Sequence, residues 1–438
     1  MNSKSITRSN ELHDIGKKLQ EQLDKIPCGT TQEIVQNQLL QKSRIIQYFK
    51  ADENDWNNWK WHYKHRIQTL EVLKQFLLFS EQELNEIECV SKQFRFSISP
   101  YYLSLIQREN PLQNIGCMSI PVLSELNSGG IMDPSAEEDS NPIGGIVRRY
   151  PNRAIINVTN CCASFCRHCQ RKRNIGSKDS VISSKDLEES LMYIRNNTEI
   201  NDVLITGGDA LTLDDNILDN LLSIIRSISH VDIIRLGSRM PVNLPQRITP
   251  KLVSILKKHA PIYLNTQFNH PLEITPESID ACNLLADSGI MLGNQMVLLK
   301  GVNNDKYVVQ LLNRQLIKLR VRPYYIFHAK DVKGTMHFQT SLKEGIEILS
   351  HLCGNTSGLS IPRYIVSAPN GLGKISISQD TLSKENHGIF ELVTWEGKRV
   401  TIPNESYTRF LIKDNSLLYI IYLLLHLILN FCTSIYNI

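Results

Sequence analysis

The chain has 438 residues, 42% of them hydrophobic and 21% charged, which is the composition of a folded globular protein and excludes a disordered one. Its formal charge of +4 is small for this length and gives no reason to expect a nucleic-acid partner. The N-terminus, MNSKSITRSN, has no apolar core behind a basic start, so it does not read as a secretory signal. The ten cysteines are therefore read in a reducing, cytoplasmic setting, where free, metal-bound or catalytic thiols are the rule.

Residues 1–140 read as a polar, helical N-terminal region. Asp55 to Leu70 carries Trp56, Trp59 and Trp61 among charges and predicts an amphipathic helix packed on something larger. Ser80-Glu81-Gln82-Glu83 has the form of a capping box. Gly129 to Pro142, rich in Gly, Pro, Ser and acids, reads as a linker.

From Ala154 the rhythm changes. Short apolar runs at Ala154–Thr159, Asp202–Thr206, Ile233–Leu236, Ile262–Thr266, Met291–Leu299 and Val321–Phe327 alternate with helix-like stretches. Thr249-Pro250 and Thr275-Pro276 each set a capping hydroxyl before a proline at the first helical position, and Ser183 with Asp186 opens another helix. Six strand–helix units in series predict a parallel α/β sheet. Periodicity leaves open whether it is a partial barrel or an open doubly wound sheet. Polar residues cluster after the strands, where barrel sites form: Gly207-Gly208-Asp209 after the second and Gly237-Ser238-Arg239 after the third.

The first strand runs into NVTNCCASFCRHCQRKR, in which Cys162, Cys166 and Cys169 are spaced CxxxCxxC. Three thiolates on one loop can hold three irons of a [4Fe-4S] cubane and leave the fourth open to a chelating ligand such as S-adenosylmethionine (SAM). A structural zinc site would use Cys161 or His168 as a fourth ligand, but such sites usually pair two ligand loops and no second Cys/His pair lies nearby. Cys161 is read as a bystander. Further on, Gly371-Leu372-Gly373-Lys374 could bring backbone amides to a phosphate and an amine to an aldehyde. It is not a nucleotide P-loop, because Ala368 and Ile375 stand where that motif needs Gly and Ser or Thr.

This loop, with PYYLSLI, RRYPNR, LITGGDAL, LPQRITP, FNHP, LGNQ, RVRPYY and TSG in the same order, resembles the lysine 2,3-aminomutase family of radical SAM enzymes from about Asp55 to Pro403. The resemblance implies a partial (βα)6 barrel over 141–355, a helical N-terminal region, and a C-terminal segment over 356–410 that carries a lysine for pyridoxal phosphate (PLP). It assigns Cys162, Cys166 and Cys169 to the cluster and Lys374, Gly371, Gly373, Arg149 and Arg153 to PLP, the two arginines at its phosphate. Gly207, Gly208, Asp209 and Gln295 fall to SAM, and Arg171 to the α-carboxylate of an amino-acid substrate. A reducing electron donor such as flavodoxin or ferredoxin, and a homo-oligomer, belong to the same expectation.

The distal end of the substrate pocket differs from the lysine-specific members. Where they place two aspartates against the substrate ammonium, this chain has Lys330 and Ser367. An ammonium facing Lys330 would be repelled, whereas a γ-carboxylate would gain a charge-assisted hydrogen bond. Lys330 and its surroundings, YYIFHAKDVKGTMHF, resemble the branch that interconverts L-glutamate and β-glutamate, although that branch normally has asparagine at the position of Ser367. Gln267, where the family commonly has histidine, and Asn370, where it has more glycine, are further departures. The zinc cysteines of lysine-specific members are missing, Asp305 standing at one such position, so no structural zinc is expected. Residues 411–438 lie beyond the resemblance. Their apolar run Leu417–Phe431 is short of a membrane span, and reads as a docked or artefactual tail ahead of a weak anchor.

Overall fold

A computed structural model describes residues 3–378 apart from Ser128 and, beyond them, 382–386, 389–394 and 397–403. The run Leu417–Phe431 lies outside the described residues. Contacts divide the chain into two units, Met1–Ser378 and Gln379–Ile438. In the second, strands Leu382–Asn386, Ile389–Val393 and Arg399–Pro403 form an antiparallel sheet.

The first unit is built on a nine-stranded sheet in sequence order. Strands β2 (Arg153–Thr159), β3 (Asp202–Gly207), β4 (Ile233–Gly237), β5 (Ile262–Thr266), β6 (Met291–Leu298) and β7 (Val321–His328) run parallel, each followed by a helix, and match the six predicted runs. A seventh parallel strand, β8 (Arg363–Ser367), and two antiparallel edge strands, β1 (Ile146–Tyr150) and β9 (Lys374–Ile377), extend the sheet. Along β2 to β5 the burial alternates. Ala154, Ile156, Val203, Ile205, Ile234, Leu236, Ile262 and Leu264 are at most 1% exposed and belong to the hydrophobic core. Their neighbours Ile155, Leu204, Arg235 and Tyr263 line a cavity of about 1220 Å³. The sheet is thus the predicted partial barrel, curled about an open interior.

The predicted caps are present. Thr249 Oγ1 accepts the Leu252 amide at 3.1 Å and Thr275 Oγ1 the Ser278 amide at 3.1 Å, each before a proline; Ser183 Oγ accepts that of Asp186 at 3.0 Å. Ser80 and Glu83 form the capping box. The tryptophan segment is not one helix. Asn57 and Asn58 break it into Glu53–Trp56 and Trp59–Lys64, with Asn58 Oδ1 capping the second at Lys60 N, because asparagine competes with helix interiors and favours caps. Among the described residues no helix is long and apolar enough to cross a membrane.

The N-terminal region supports the cysteine loop. Phe165 N donates to Ser97 O (2.8 Å), Ser99 N to Ser164 Oγ (3.0 Å) and Arg167 N to Met118 O (2.8 Å). Buried Glu125 receives Arg167 Nε at 2.8 Å and Lys172 Nζ at 2.5 Å. Burial would raise the Glu125 carboxyl, but these two cations hold it below the usual range.

Candidate active site

The cavity runs along the inner face of the parallel strands, from Asp202 and Arg320 at their N-terminal ends to the loops beyond their C-terminal ends, and is lined at once by Cys162, Cys166, Cys169, Arg149, Arg153, Arg171, Gly207, Gly208, Asp209, Gln295, Lys330, Ser367, Gly373 and Lys374. Of the residues that the sequence assigns to cofactors or substrate, all lie on this wall but Gly371.

The cysteine loop follows β2 and packs on the glycines after β3. A Cβ on Gly207 would strike the Thr159 carbonyl, and one on Gly208 the Cys161 carbonyl. Gly207 also has φ +127°, so glycine is required twice over. Asp209 N donates to Cys161 O at 2.8 Å. The Asp209 carboxylate accepts Leu211 N (3.0 Å) and Arg239 N (2.7 Å), while burial raises its carboxyl. It therefore holds the β3 and β4 loops together while still lining the cavity, where a carboxylate with two of its roughly four acceptor sites used can take a further donor. Arg66 Nη1 donates to Cys162 O at 2.8 Å and pairs with Asp179 at 2.8 Å.

Arg239, at the end of β4, donates through Nη1 to Cys166 Sγ at 2.9 Å and is paired with Glu273, which also accepts Tyr102 Oη at 2.6 Å. Gln267, the first departure from the family, puts its side-chain amide 3.1 Å from His168 Nε2, while its backbone carbonyl accepts Arg239 Nε at 3.0 Å. Among the described residues no three His, Cys, Asp or Glu side chains gather as the ligands of one metal ion do. A cubane takes one thiolate per iron and needs no such convergence, so three thiols spread along one cavity wall fit it.

At the last edge of the sheet, where Lys374 N donates to Tyr150 Oη of β1 at 2.9 Å, β8 turns into β9 with Ser367 directly across from Lys374. Ala368 N bonds Gly373 O at 2.8 Å. The turn takes Asn370 to φ 54°, Gly371 to φ 72° and Gly373 to φ 101°. Asparagine is the non-glycine residue that tolerates this left-handed region, which accounts for Asn370. Lys374 is exposed as a whole residue, but its amine turns inward over the rings of Tyr325 (4.8 Å) and Phe327 (5.1 Å). Burial, then Arg235, Arg153 and Arg149, lower it to about 8, toward a neutral nucleophile. A basic amine flanked by arginines suits an aldehyde that also bears a phosphate.

Arg171 is 9% exposed and faces Glu137, whose two oxygens take its Nε at 3.1 and 2.9 Å. Lys330 Nζ donates to Ser135 Oγ and Gln170 Oε1, both at 2.6 Å. Burial, with Arg149 and Arg171 nearby, lowers its amine to about 7. Segment 129–142 is accordingly not a plain linker: it brings buried Ser135 and Glu137 against the site. Sequence reading missed Glu137, Ser135, Gln170, Glu273 and Tyr102. The one signal for Glu137 was an acidic run, Glu137-Glu138-Asp139, matching the basic run Arg171-Lys172-Arg173.

A Radical SAM superfamily model matches residues 156–312. The chain is 51% identical over 365 residues to glutamate 2,3-aminomutase of Clostridioides difficile, covering 83% of this chain and 86% of that protein. It is 43% identical to L-lysine 2,3-aminomutase of Acetoanaerobium sticklandii, covering 82% and 87%, and 44% identical to that of Clostridium subterminale, covering 81% and 86%. The cysteine-bearing partial barrel and these likenesses over most of the chain agree, and the chain belongs to the lysine 2,3-aminomutase family of radical SAM enzymes, which are isomerases.

Proposed function

We propose that the chain interconverts L-glutamate and β-glutamate, with a [4Fe-4S] cluster on Cys162, Cys166 and Cys169, SAM against Gly207, Gly208, Asp209 and Gln295, and PLP on Lys374. The observation that carries the substrate is Lys330. Its amine lies on the same cavity as the cysteine loop and Lys374, within electrostatic reach of Arg171 and Arg149. A substrate with a distal ammonium would meet Lys330 with no uncommitted carboxylate on the cavity wall to offset the repulsion, since the acidic lining residues, Asp202 and Asp209, are already engaged by Arg235 (2.7 Å) and by backbone amides. A dicarboxylate has one group for Arg171 and one for Lys330.

When bound, the cluster and SAM supply a hydrogen-abstracting radical, and PLP supplies the π system over which the amino group moves. The chain's own part is positional. Arg171 holds the α-carboxylate, Lys330 the γ-carboxylate, and Ser367, opposite Lys374, can add a hydroxyl donor directly or through water. Arg149 and Arg153 take the phosphate, with Gly371 and Gly373 shaping the turn that carries Lys374. Asp209 keeps the SAM-side loops in register. The barrel walls screen the reacting atoms from water. A flavodoxin or ferredoxin as electron donor, a homo-oligomeric state, and the division of the chain at about 140, 355 and 410 are part of the same proposal.

The test is anaerobic reconstitution with iron, sulfide, PLP and SAM, followed by proton NMR of incubations with glutamate, lysine and arginine. β-Glutamate from glutamate alone supports the assignment; β-lysine in its place overturns it.

A further inference from the structure

Segment 130–140 is fastened on both sides of the substrate end of the cavity. Ile131 N donates to Asp331 O (2.8 Å) and Lys333 N to Ile131 O (3.0 Å), a bridge that spans Lys330's own neighbours. Farther along, Glu138 N bonds Asp133 Oδ2 (3.0 Å) and Arg148 N bonds Ser140 O (2.9 Å). The turn before Lys374 rests on it too: a Cβ on Gly371 would come within 3.0 Å of Ser135 O.

Between these anchors Ser135 and Glu137 point at the two groups that the proposed function gives to substrate. Neither lines the cavity, and they are 4% and 3% exposed. Arg171 and Lys330 do line it. Glu137 takes the side edge of the Arg171 guanidinium, through Nε at 2.9 and 3.1 Å and Nη2 at 2.9 Å. Among the described residues nothing bonds Arg171 Nη1, which leaves the end of the fork for another carboxylate. Arg149 also stands 3.9 Å from Glu137 and gives Nη1 to Ser135 O at 3.2 Å.

We propose that Glu137 and Ser135 are positioning residues for the two ends of the substrate: Glu137 aims Arg171 at the α-carboxylate, and Ser135 holds Lys330 for the distal carboxylate. The proposal rests on the dicarboxylate reading. It differs from a competitor role, in which Glu137 would occupy the substrate's place and leave when substrate enters. Glu137 stands behind Arg171 and off the cavity wall, where a competitor could not stand.

The test uses the reconstituted PLP-loaded chain without reductant, so that binding is read from the shift of the PLP absorbance with no turnover. L-Glutamate and L-glutamine share the α-carboxylate and differ in the charge of the distal group. Glu137→Gln weakens both by the same factor, about tenfold, as expected for a lost charge-assisted bond, while Glu137→Asp, which keeps the charge, restores part of it. Ser135→Ala weakens glutamate by about three- to tenfold and leaves glutamine unchanged. Iron and PLP content stay at the parental level in all three. Tighter binding in Glu137→Gln, or unchanged binding in both Glu137→Gln and Ser135→Ala, overturns the inference. A parental protein that binds glutamine but not glutamate overturns the dicarboxylate reading instead.

Discussion

Replacing Lys330 is the sharpest test of the substrate assignment. Lys330→Met keeps the length and removes the charge, leaving Ser135 Oγ and Gln170 Oε1, both 2.6 Å from the native amine, without a donor. Loss of one charge-assisted hydrogen bond costs about 1.5–3 kcal/mol, a roughly ten- to hundredfold rise in KM. At neutral pH the parental amine is only partly protonated, because burial lowers it to about 7. That reduces the parental advantage by about a factor of two, the fraction competent to bind. Lys330→Asp goes further, since it sets a carboxylate against the substrate's γ-carboxylate. Two charges about 4 Å apart at an effective dielectric near 20 interact by about 4 kcal/mol, so glutamate turnover at fixed substrate falls by about a thousandfold. The assay is proton NMR of anaerobic incubations, with iron, PLP and SAM-cleavage competence measured on the same samples. Glutamate kinetics unchanged in either variant, with cofactors retained, would refute the reasoning.

Other outcomes follow from the same geometry. Glutamate binding depends on the Lys330 ammonium, which is present below about pH 7 and lost above it; apparent affinity therefore holds at lower pH and falls above 7 until it levels off roughly ten- to hundredfold lower, a fall that Lys330→Arg removes in a pH series of binding titrations. Lys374→Ala abolishes the bound-PLP absorbance and turnover while iron content and the cluster spectrum stay unchanged. Alanine at Cys162, Cys166 or Cys169 abolishes reductive cleavage of SAM, read as release of 5′-deoxyadenosine, but leaves PLP bound. Gly208→Ala drives a methyl into the Cys161 carbonyl and displaces the cysteine loop, at about 1–3 kcal/mol; iron content after reconstitution falls, and parental iron content would contradict the packing.

What could be read in advance was local. The six strands announced themselves as apolar runs between helix-like stretches, and Cys162, Cys166 and Cys169 by a CxxxCxxC spacing that suits a loop-bound cluster. Strands β1 and β9 were hidden because each is a short edge strand that also carries polar site residues, Arg149 in one and Lys374 in the other. Apolar alternation gives no signal there. The tryptophan segment misled because three large apolar residues outweighed Asn57 and Asn58, whose capping preference decides the outcome. Segment 129–142 misled for the opposite reason. Gly, Pro and Ser are loop signals wherever they occur, and what makes this loop part of the site is a set of long-range pairs such as Glu137–Arg171, 34 positions apart.

Those pairs share a pattern that bears on how the site works. Arg171 is held by Glu137, Arg239 by Glu273 with Tyr102, and Arg167 by Glu125, and all three carboxylates are at most 3% exposed. A buried ion pair gains little net stability, because desolvating two charges offsets most of their attraction. Orientation is what such a pair can provide. Arg167 and Arg171 lie on the cysteine loop itself, and Arg239 touches Cys166 Sγ, so each carboxylate fixes a cation beside the cysteines proposed to hold the cluster. Two of the three carboxylates, Glu125 and Glu137, come from residues before β1, outside the barrel. The N-terminal region therefore helps to shape the proposed site: it sets the direction of the guanidinium groups on a loop that could not hold them by its own backbone, and a barrel without it would keep its cysteines and lose the aim of its arginines.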